Sequence, residues 1–261
     1  MSIHPTAIVS SQAKIAPDAT IGPYCVIEGH VEIGAGTVVD SHARLGHRFG
    51  RLVIGRDNYI QHGATLGGPP QDISYSGDDT LLEIGDGNRI GEYVSISQGT
   101  LKGGGRTSIG HSTMLMAFVH VGHDCRIGDG VIITNSTQIS GHVVVEEHAL
   151  LSGLVGVSQF VRLGRYSFLT GGSFTNKDIP PYTIAEGHWA RLRAVNRVAL
   201  RRAGFDDDTR RNIERAVRVL LDTSLTIEGV IERIRETCRA DAHVGHLIEF
   251  LQTSSRGIAR K

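Results

Sequence analysis

The residues best suited to chemistry lie between His111 and His148, a segment that holds five of the 13 histidines of this 261-residue chain. Their densest group is the run HVGHDC at 120–125, where His123 is followed directly by Asp124. A histidine whose second ring nitrogen is held by a carboxylate can act as a general base, because the carboxylate fixes its tautomer and stabilises the imidazolium. The imidazoles could instead bind zinc, for which the candidate ligands are His120, His123 and His142.

A repeat of six residues positions these side chains. In the unbroken stretch from 109 to 174, the first residue of every hexad is aliphatic: Ile109, Leu115, Val121, Ile127, Ile133, Ile139, Val145, Leu151, Val157, Leu163 and Leu169. The fifth residue of every hexad is small or β-branched, and Cys125 holds one of these positions. A period of six fits neither a helix nor simple strand alternation. It predicts a solenoid in which three hexads close one triangular coil.

Stacking of equal coils places residues 18 apart above one another, about 4.8 Å per coil. His123, Gly141 and Gln159 then form one column, with Asp124 and His142 beside it. These third-position side chains point away from the prism interior. The bare backbone of a glycine in the column could donate its N–H to a reacting carbonyl as an oxyanion contact. Because no serine or cysteine nearby has a nucleophile signature, the pattern predicts direct acyl transfer without a covalent intermediate.

The repeat also predicts the domain organisation. It starts at Ile3, slips by three residues through HRFGR, and is interrupted by external loops at 67–82 and 101–108. The fold class is therefore mainly β, with a parallel β-helix over 1–181 and a small α-helical domain over 182–261. From about Ala190 the spacing of Leu192, Val195, Val198 and Ala199 predicts a first helix. Later helices are predicted to start near Asp206, Thr226 and Asp241.

Charge and composition restrict the partners. The formal net charge is +0, yet residues from Arg191 onward carry 15 Lys and Arg against 10 Asp and Glu. Such a basic segment suits an acidic partner or a phosphorylated ligand, or else it is a solvated helical face. We expect no nucleic-acid partner. No apolar run approaches the ~20 residues of a membrane span, so no stable membrane insertion is expected. Three scattered cysteines favour a reducing, cytoplasmic setting.

Seven short motifs are spread over nearly the whole chain: PQD (70–72), VGHDC (121–125), ISGH (139–142), QF (159–160), KDIPPY (177–182), LRRAGF (200–205) and SSRGIARK (254–261). Together they resemble one family, the acyl-ACP–UDP-N-acetylglucosamine O-acyltransferases that begin lipid A synthesis. The resemblance implies a left-handed β-helix that forms a homotrimer, with sites in the clefts between prisms. It also implies transfer of a 3-hydroxyacyl chain from acyl carrier protein to the 3-hydroxyl of a UDP-hexosamine, without metal or cofactor.

Individual roles follow from that resemblance. His123 matches the catalytic base, Asp124 its orienting carboxylate and Gly141 the oxyanion donor. The other matching positions contact substrate in the family: His120, His142 and Gln159 line the sugar and pantetheine cleft, Asp72 lies in a substrate-binding loop, Asn196 and Arg202 contact the nucleotide or diphosphate, and Gly171 limits acyl length. A glycine at 171 leaves the groove open and implies a longer chain. The basic helical tail would meet the acidic carrier protein.

Five positions depart from the family pattern: Ser74, Ser97, Ser158, Val198 and Ala203. The departures leave alternatives open for the acceptor, such as the 3-amino analogue of UDP-GlcNAc, which would give an amide, or another nucleotide sugar. A diverged member with weak or no activity is a further alternative. From a different class, a zinc protein like the γ-class carbonic anhydrases shares the prism, but those enzymes do not usually carry four helices after it. A non-catalytic hexapeptide scaffold also stays open.

Overall fold

A computed structural model describes residues 2–260 and contains the predicted left-handed parallel β-helix. Each coil has three short strands separated by corners, and corresponding strands of successive coils pair in parallel. In the regular part the paired residues are 18 apart, as in Ile132 with Leu150. The three flat sides of the prism are called faces 1, 2 and 3 in chain order.

The strands distribute over the faces as follows. Face 1 contains Ser2–Ile3, Thr20–Ile21, Val38–Val39, Tyr59–Ile60, Arg89–Ile90, Met114–Leu115, Ile132–Ile133, Leu150–Leu151, Phe168–Leu169 and Thr183–Glu186. Face 2 contains Ile8–Val9, Thr65–Gly68, Ser95–Ser97, His120–Val121, Gln138–Ile139, Gly156–Val157 and Phe174–Thr175. Face 3 contains Lys14–Ile15, Leu81–Ile84, Arg106–Ile109, Arg126–Ile127, Val144–Val145 and Arg162–Leu163. Two long strands bend from face 2 onto face 3: Val26–Ile33 and Arg44–Ile54.

The core explains the sequence repeat. Every aliphatic residue that leads a hexad between Ile109 and Leu169 is buried, and so is every fifth residue of those hexads. Apolar burial of this kind is the main stabilising contribution in a solenoid, because each coil contacts only its neighbours. The fourth residue of these hexads has a positive φ, for example Asp124 at 61° and His142 at 62°. This left-handed residue turns the chain through each corner.

Insertions appear as longer spacings between paired strands. Leu52 pairs with Leu82, 30 residues away, because the first loop leaves the prism between them. Ser95 pairs with His120, 25 residues away, around the second insertion, which includes the 3-10 helix Leu101–Gly103. Val38 pairs with Tyr59, 21 residues away, around the three-residue slip. Phe49 in that slip packs beneath the first loop, where a Cβ on Gly77 would lie 3.1 Å from its ring.

The prediction of a helix from about Ala190 is wrong. Residues Arg191–Val195 form a strand that pairs antiparallel with Thr183–Glu186. The register shifts there, so that Ile184 pairs with Ala194 and Ala185 with Leu192. The extra residue of such a bulge lets Leu192 and Val195, three apart, both become buried, which imitates helical spacing. The boundary at 181/182 stays a prediction, although the parallel ladder continues to Thr183–Glu186.

Four helices follow the prism: Arg197–Arg202, Asp207–Leu221, Ile227–Thr237 and Ala242–Gln252. The predicted starts of the last three are confirmed, since Asp206, Thr226 and Asp241 are their N-caps and each accepts a hydrogen bond from a first-turn N–H. The last helix is tied to the prism through Glu146, which pairs with His246 at 2.7 Å. Across residues 2–260, no helix combines the length and the apolar character needed to cross a bilayer.

Candidate active site

The corner between faces 2 and 3 carries the histidine–aspartate pair. The strand His120–Val121 ends there, and His123 and Asp124 occupy the third and fourth positions of the hexad. Nδ1 of His123 lies 2.7 Å from a carboxylate oxygen of Asp124, and both residues are 6% exposed. The left-handed backbone of Asp124 turns its carboxylate back toward the preceding ring. The contact is therefore direct, whereas neighbouring corner residues can in general point apart.

The second insertion holds Asp124 in place. The Thr100 N–H and hydroxyl donate to the two carboxylate oxygens of Asp124 at 2.8 and 2.7 Å. Gly103 lies so close that a Cβ there would overlap the carboxylate. The Asp124 N–H donates to Thr107 at 2.8 Å. The sequence analysis did not identify Thr100. The one feature that could have pointed to it is that the insertion interrupts the coil directly below this corner.

Gly141 lies one coil above His123, as the 18-residue column predicts. A Cβ on Gly141 would lie 2.7 Å from both Cε1 and Nε2 of the His123 ring, so only glycine lets the ring lie flat against the backbone. Within residues 2–260, neither Nε2 of His123 nor the N–H of Gly141 has a hydrogen-bond partner. A base nitrogen and a backbone donor are thus free beside each other.

The other two predicted histidines border this pair. Nε2 of His142 lies 3.7 Å from Asp124, and its ring stacks on Phe160 at 4.5 Å. His120 meets the Ser95 hydroxyl at 2.7 Å, and burial lowers the pKa of its imidazole below the ordinary value. His120 is therefore largely neutral near pH 7. It suits hydrogen bonding more than anion binding. Gln159 completes the column in an exposed position.

The first loop reaches the same corner. Ser74 donates its N–H and its hydroxyl to Asp72 at 2.7 and 2.8 Å, and these bonds lower the pKa of the Asp72 carboxyl, with smaller contributions from the charges of Lys102 and His123. Lys102, in the second insertion, donates to the Ser74 hydroxyl at 2.8 Å. The two insertions therefore meet beside the histidine–aspartate pair.

Comparisons with known proteins identify the family. Residues 178–259 match a family model described as UDP N-acetylglucosamine O-acyltransferase, domain 2, and residues 3–47 and 106–141 match the bacterial transferase hexapeptide model. The chain is 40% identical over 258 residues to an acyl-[acyl-carrier-protein]–UDP-N-acetylglucosamine O-acyltransferase of Thermodesulfovibrio yellowstonii, covering 99% of each chain. It is 42% identical over 262 residues to that of Paraburkholderia phymatum, again covering 99% of each.

A solved structure agrees. The UDP-N-acetylglucosamine acyltransferase of Francisella novicida superposes with a TM-score of 0.94 at 36% identity, covering 99% of this chain and 94% of that one. This chain belongs to the acyl-ACP–UDP-N-acetylglucosamine O-acyltransferase family. The resemblance inferred from the motifs, and the fold class with it, are confirmed.

The remaining positions matched to this acyltransferase family lie at other corners. Gly171 occupies a third hexad position between faces 1 and 2, where a Cβ would sit 3.4 Å from Gly153 and Ser152. Asn196 lies between faces 3 and 1, where its amide donates to Tyr166 at 2.9 Å and caps the helix Arg197–Arg202. Arg202 is exposed at the end of that helix. One chain of this acyltransferase family member therefore does not bring these three residues to His123.

A metal ion would draw on His123, Asp124 and His142, whose ligand atoms lie within 4.8 Å of one another. Two ligand atoms bound to one zinc at about 2.0 Å in tetrahedral geometry lie about 3.3 Å apart. The 2.7 Å between His123 and Asp124 is shorter and suits a hydrogen bond. Both Asp124 oxygens also accept hydrogen bonds from Thr100. The donor set therefore fits an acyltransferase base better than a zinc centre, and the expectation of no metal stays a prediction.

Proposed function

We propose that this protein transfers a 3-hydroxyacyl chain from acyl carrier protein to the 3-hydroxyl of UDP-N-acetylglucosamine, the first step of lipid A biosynthesis. The observation that carries the proposal is the buried His123–Asp124 pair, whose free Nε2 lies beside the free N–H of Gly141. A base and an oxyanion donor are the two parts that direct acyl transfer needs. The family of the chain supplies the substrate class.

The mechanism follows from that arrangement. Asp124 accepts the Nδ1–H of His123, which leaves Nε2 as the base. Nε2 removes the proton of the sugar 3-hydroxyl while its oxygen attacks the thioester carbonyl carbon. The carbonyl oxygen becomes an oxyanion that accepts a hydrogen bond from the Gly141 N–H. Collapse of the tetrahedral intermediate breaks the carbon–sulfur bond, and the imidazolium returns its proton to the departing thiolate. The thioester is already activated, so the chemistry needs no cofactor.

A homotrimer would unite the three corners. Three parallel prisms around a common axis place one corner of a chain against a different corner of the next, so that His123 could share a cleft with Asn196 or Gly171 of a neighbour. Apolar side chains on face 1 and its adjoining corner support such an interface. Phe118 and Leu154 at the corner are more than half exposed in one chain, at 55% and 66%. The face 1 side chains beside them are partly exposed, and exposed apolar patches of this kind mark interaction sites: Met114, Ile132, Leu150 and Phe168.

The donor and the setting follow from charge and from the cysteines. The segment from Arg191 onward, with 15 basic against 10 acidic residues, suits the acidic surface of acyl carrier protein. The three cysteines are free, and burial raises the pKa of Cys125 to about 12, so this thiol is neither a nucleophile nor a metal ligand at neutral pH. Free thiols support the expected cytoplasmic location.

Mass spectrometry of the products tests the proposal. Purified protein is incubated with a panel of 3-hydroxyacyl-ACPs and either UDP-GlcNAc or its 3-amino analogue. We expect an ester product from UDP-GlcNAc. Reaction with the 3-amino analogue alone would show that this amine is the acceptor instead of UDP-GlcNAc. The departures from the family pattern at Ser74, Ser97 and Ser158 would then be relevant to that change of acceptor. No product with either acceptor would contradict acyl transfer and favour a scaffold. Full activity after chelator treatment is expected, whereas a loss restored by zinc would support the carbonic-anhydrase-like alternative.

A further inference from the structure

Lys102 lies in the turn that fixes the catalytic carboxylate. It is the middle residue of the 3-10 helix Leu101–Gly103. Thr100 on one side donates two hydrogen bonds to Asp124, and Gly103 on the other side packs against the same carboxylate. The backbone of Lys102 is therefore placed by contacts on both sides with Asp124, although its side chain is exposed.

The ammonium group of Lys102 points toward the first loop. Nζ donates to the Ser74 hydroxyl at 2.8 Å, and that hydroxyl donates onward to Asp72 at 2.8 Å. The Ser74 hydroxyl thus joins Lys102 to Asp72, and the charges of Lys102 and His123 both help to lower the pKa of the Asp72 carboxyl. Within the part of the chain that the structure describes, its hydrogen-bond partner is this neutral hydroxyl, and no carboxylate lies within 4.0 Å.

Two other basic side chains of this region are less suited to binding an anion. His120 is largely neutral near pH 7, since burial lowers its pKa. Arg106, the next basic residue after Lys102, is engaged by Glu83. Both proposed substrates carry phosphate: the nucleotide sugar has a diphosphate, and the pantetheine arm of the donor has a phosphodiester. A lysine ammonium binds phosphate as a compact point charge with three donors.

We propose that Lys102 binds a phosphate group of a substrate beside the catalytic dyad, and that its contact with Ser74 holds the amine in the cleft until that substrate arrives. The inference rests on the proposed function. The group that Lys102 would bind is a phosphate, which belongs either to the nucleotide sugar or to the pantetheine arm. Lys102 is thus a substrate-binding residue and takes no part in proton transfer.

Steady-state kinetics with a set of variants tests this role. Lys102→Met removes the charge and keeps the side-chain length, and Lys102→Arg keeps the charge. Lys14→Met is the matched control, because Lys14 forms an exposed ion pair with Glu32 in the first coils, where loss of one charge has little effect. Lys102→Met should raise the KM of one substrate about tenfold, the usual effect of losing one charge-assisted hydrogen bond, with kcat within about threefold. The increase in KM should be smaller at high salt, which screens the charge of the ammonium.

A charge swap sharpens the test. Since Nζ of Lys102 and the Ser74 hydroxyl are 2.8 Å apart, an amine carried from position 74 can reach the same volume. The Ser74→Lys, Lys102→Ser double variant should recover most of the affinity that Lys102→Ser loses. A double variant no better than Lys102→Ser would overturn the proposal, as would an unchanged KM for both substrates in Lys102→Met.

Two comparisons show which substrate supplies the phosphate, and whether a failure concerns Lys102 or the proposed acyl transfer. A raised KM for UDP-GlcNAc alone assigns the diphosphate, and a raised KM for acyl-ACP alone assigns the pantetheine phosphodiester. Calorimetry with UDP-GlcNAc and with 4′-phosphopantetheine repeats the comparison without turnover. An inactive wild type whose UDP-GlcNAc affinity still falls in Lys102→Met would overturn the acyl-transfer reaction and keep the phosphate site. An active wild type whose KM values do not change in Lys102→Met would keep the acyl-transfer reaction and overturn the phosphate site.

Discussion

Two corners of the prism have the same backbone and different chemistry. At the corner between faces 2 and 3, His123 and the left-handed Asp124 form a buried pair. At the corner between faces 3 and 1, the left-handed residue is His148, which is exposed and stacks on Tyr166 at 5.0 Å. The difference is the second insertion, because Thr100 and Gly103 cover only the first corner. A hexapeptide corner thus becomes a base when an insertion buries its carboxylate and supplies donors to it.

The largest contrast is expected from the two histidines. His123→Ala should lower kcat about 1,000-fold, within the range that general-base catalysis contributes. His148→Ala should leave kcat within about threefold, since among residues 2–260 the His148 side chain stacks on Tyr166 and makes no hydrogen bond. Initial rates of acyl transfer measure both variants, with size-exclusion chromatography as a check on assembly. Equal losses in the two variants would erase the distinction between the corners.

Two glycines at the same hexad position sharpen the comparison. Gly141→Ala should lower kcat about 100-fold, because a displacement of the base by about 1 Å has effects of that size. The new methyl would lie 2.7 Å from the His123 ring. Gly153→Ala, at the corner between faces 1 and 2, meets Asn135 at 3.4 Å, so it should lower kcat far less than Gly141→Ala. A fully active Gly141→Ala variant would contradict the close contact.

The hydroxyl of Thr100 is expected to have a smaller effect on rate. Thr100→Val keeps the side-chain shape and loses the bond to Asp124, so kcat should fall about tenfold. Thr100→Ser should restore most of the rate, because it restores the donor. A pH–rate profile supplies the second readout: loss of this donor should displace the acidic limb in Thr100→Val and leave it in place in Thr100→Ser. An unaltered rate and profile in Thr100→Val would show that the insertion does not position Asp124.

The corner that joins the helical domain should affect stability more than rate. Glu146 accepts hydrogen bonds from His246 at 2.7 Å and from the Arg165 N–H at 2.9 Å. Although burial opposes its charge, these bonds and the charges of His246 and Arg162 hold the pKa of the Glu146 carboxyl below its ordinary value. Glu146→Gln should therefore lower the free energy of unfolding by about 1–3 kcal/mol at pH 7. Glu147→Gln, whose carboxylate is more exposed, should have a smaller effect.

The sign of the pH dependence follows from the lowered pKa. A carboxyl with a depressed folded-state pKa stabilises the protein fully above its unfolded value of about 4.3, and the contribution disappears as pH falls through the folded value. Denaturant unfolding should therefore show a wild-type advantage over Glu146→Gln at pH 7 that narrows below about pH 4. An advantage that grows toward acid would contradict the assignment.

The sequence predicted what depends on periodicity. The hexad period predicted the prism and the column of His123 and Gly141, and three helix starts were predicted correctly near Asp206, Thr226 and Asp241. Features that depend on contacts outside the repeat were not predicted. The bulge at Arg193 made a strand look helical. Thr100 lies 24 residues before Asp124, and no periodic rule relates an insertion to the corner that it covers.

Some of the residues predicted to contact substrate lie near His123 and Asp124, and others do not. Asp72 and His142 come near the dyad, because one lies in the adjoining loop and the other one coil above. Asn196 is buried and uses its amide as a helix cap, a local role that a family motif does not reveal. Its place at a different corner from His123 follows from where the antiparallel strand Arg191–Val195 ends. The roles of these residues toward substrate stay predictions.

Nitrogen-15 NMR of histidine-labelled protein at pH 8 tests the central claim most directly. The His123 signals are assigned by their loss in His123→Ala. If Asp124 holds the ring as the structure indicates, Nδ1 carries the proton in a hydrogen bond to the carboxylate and Nε2 is unprotonated and able to act as the base. A ring protonated on Nε2, or an even mixture of the two tautomers, would contradict the account.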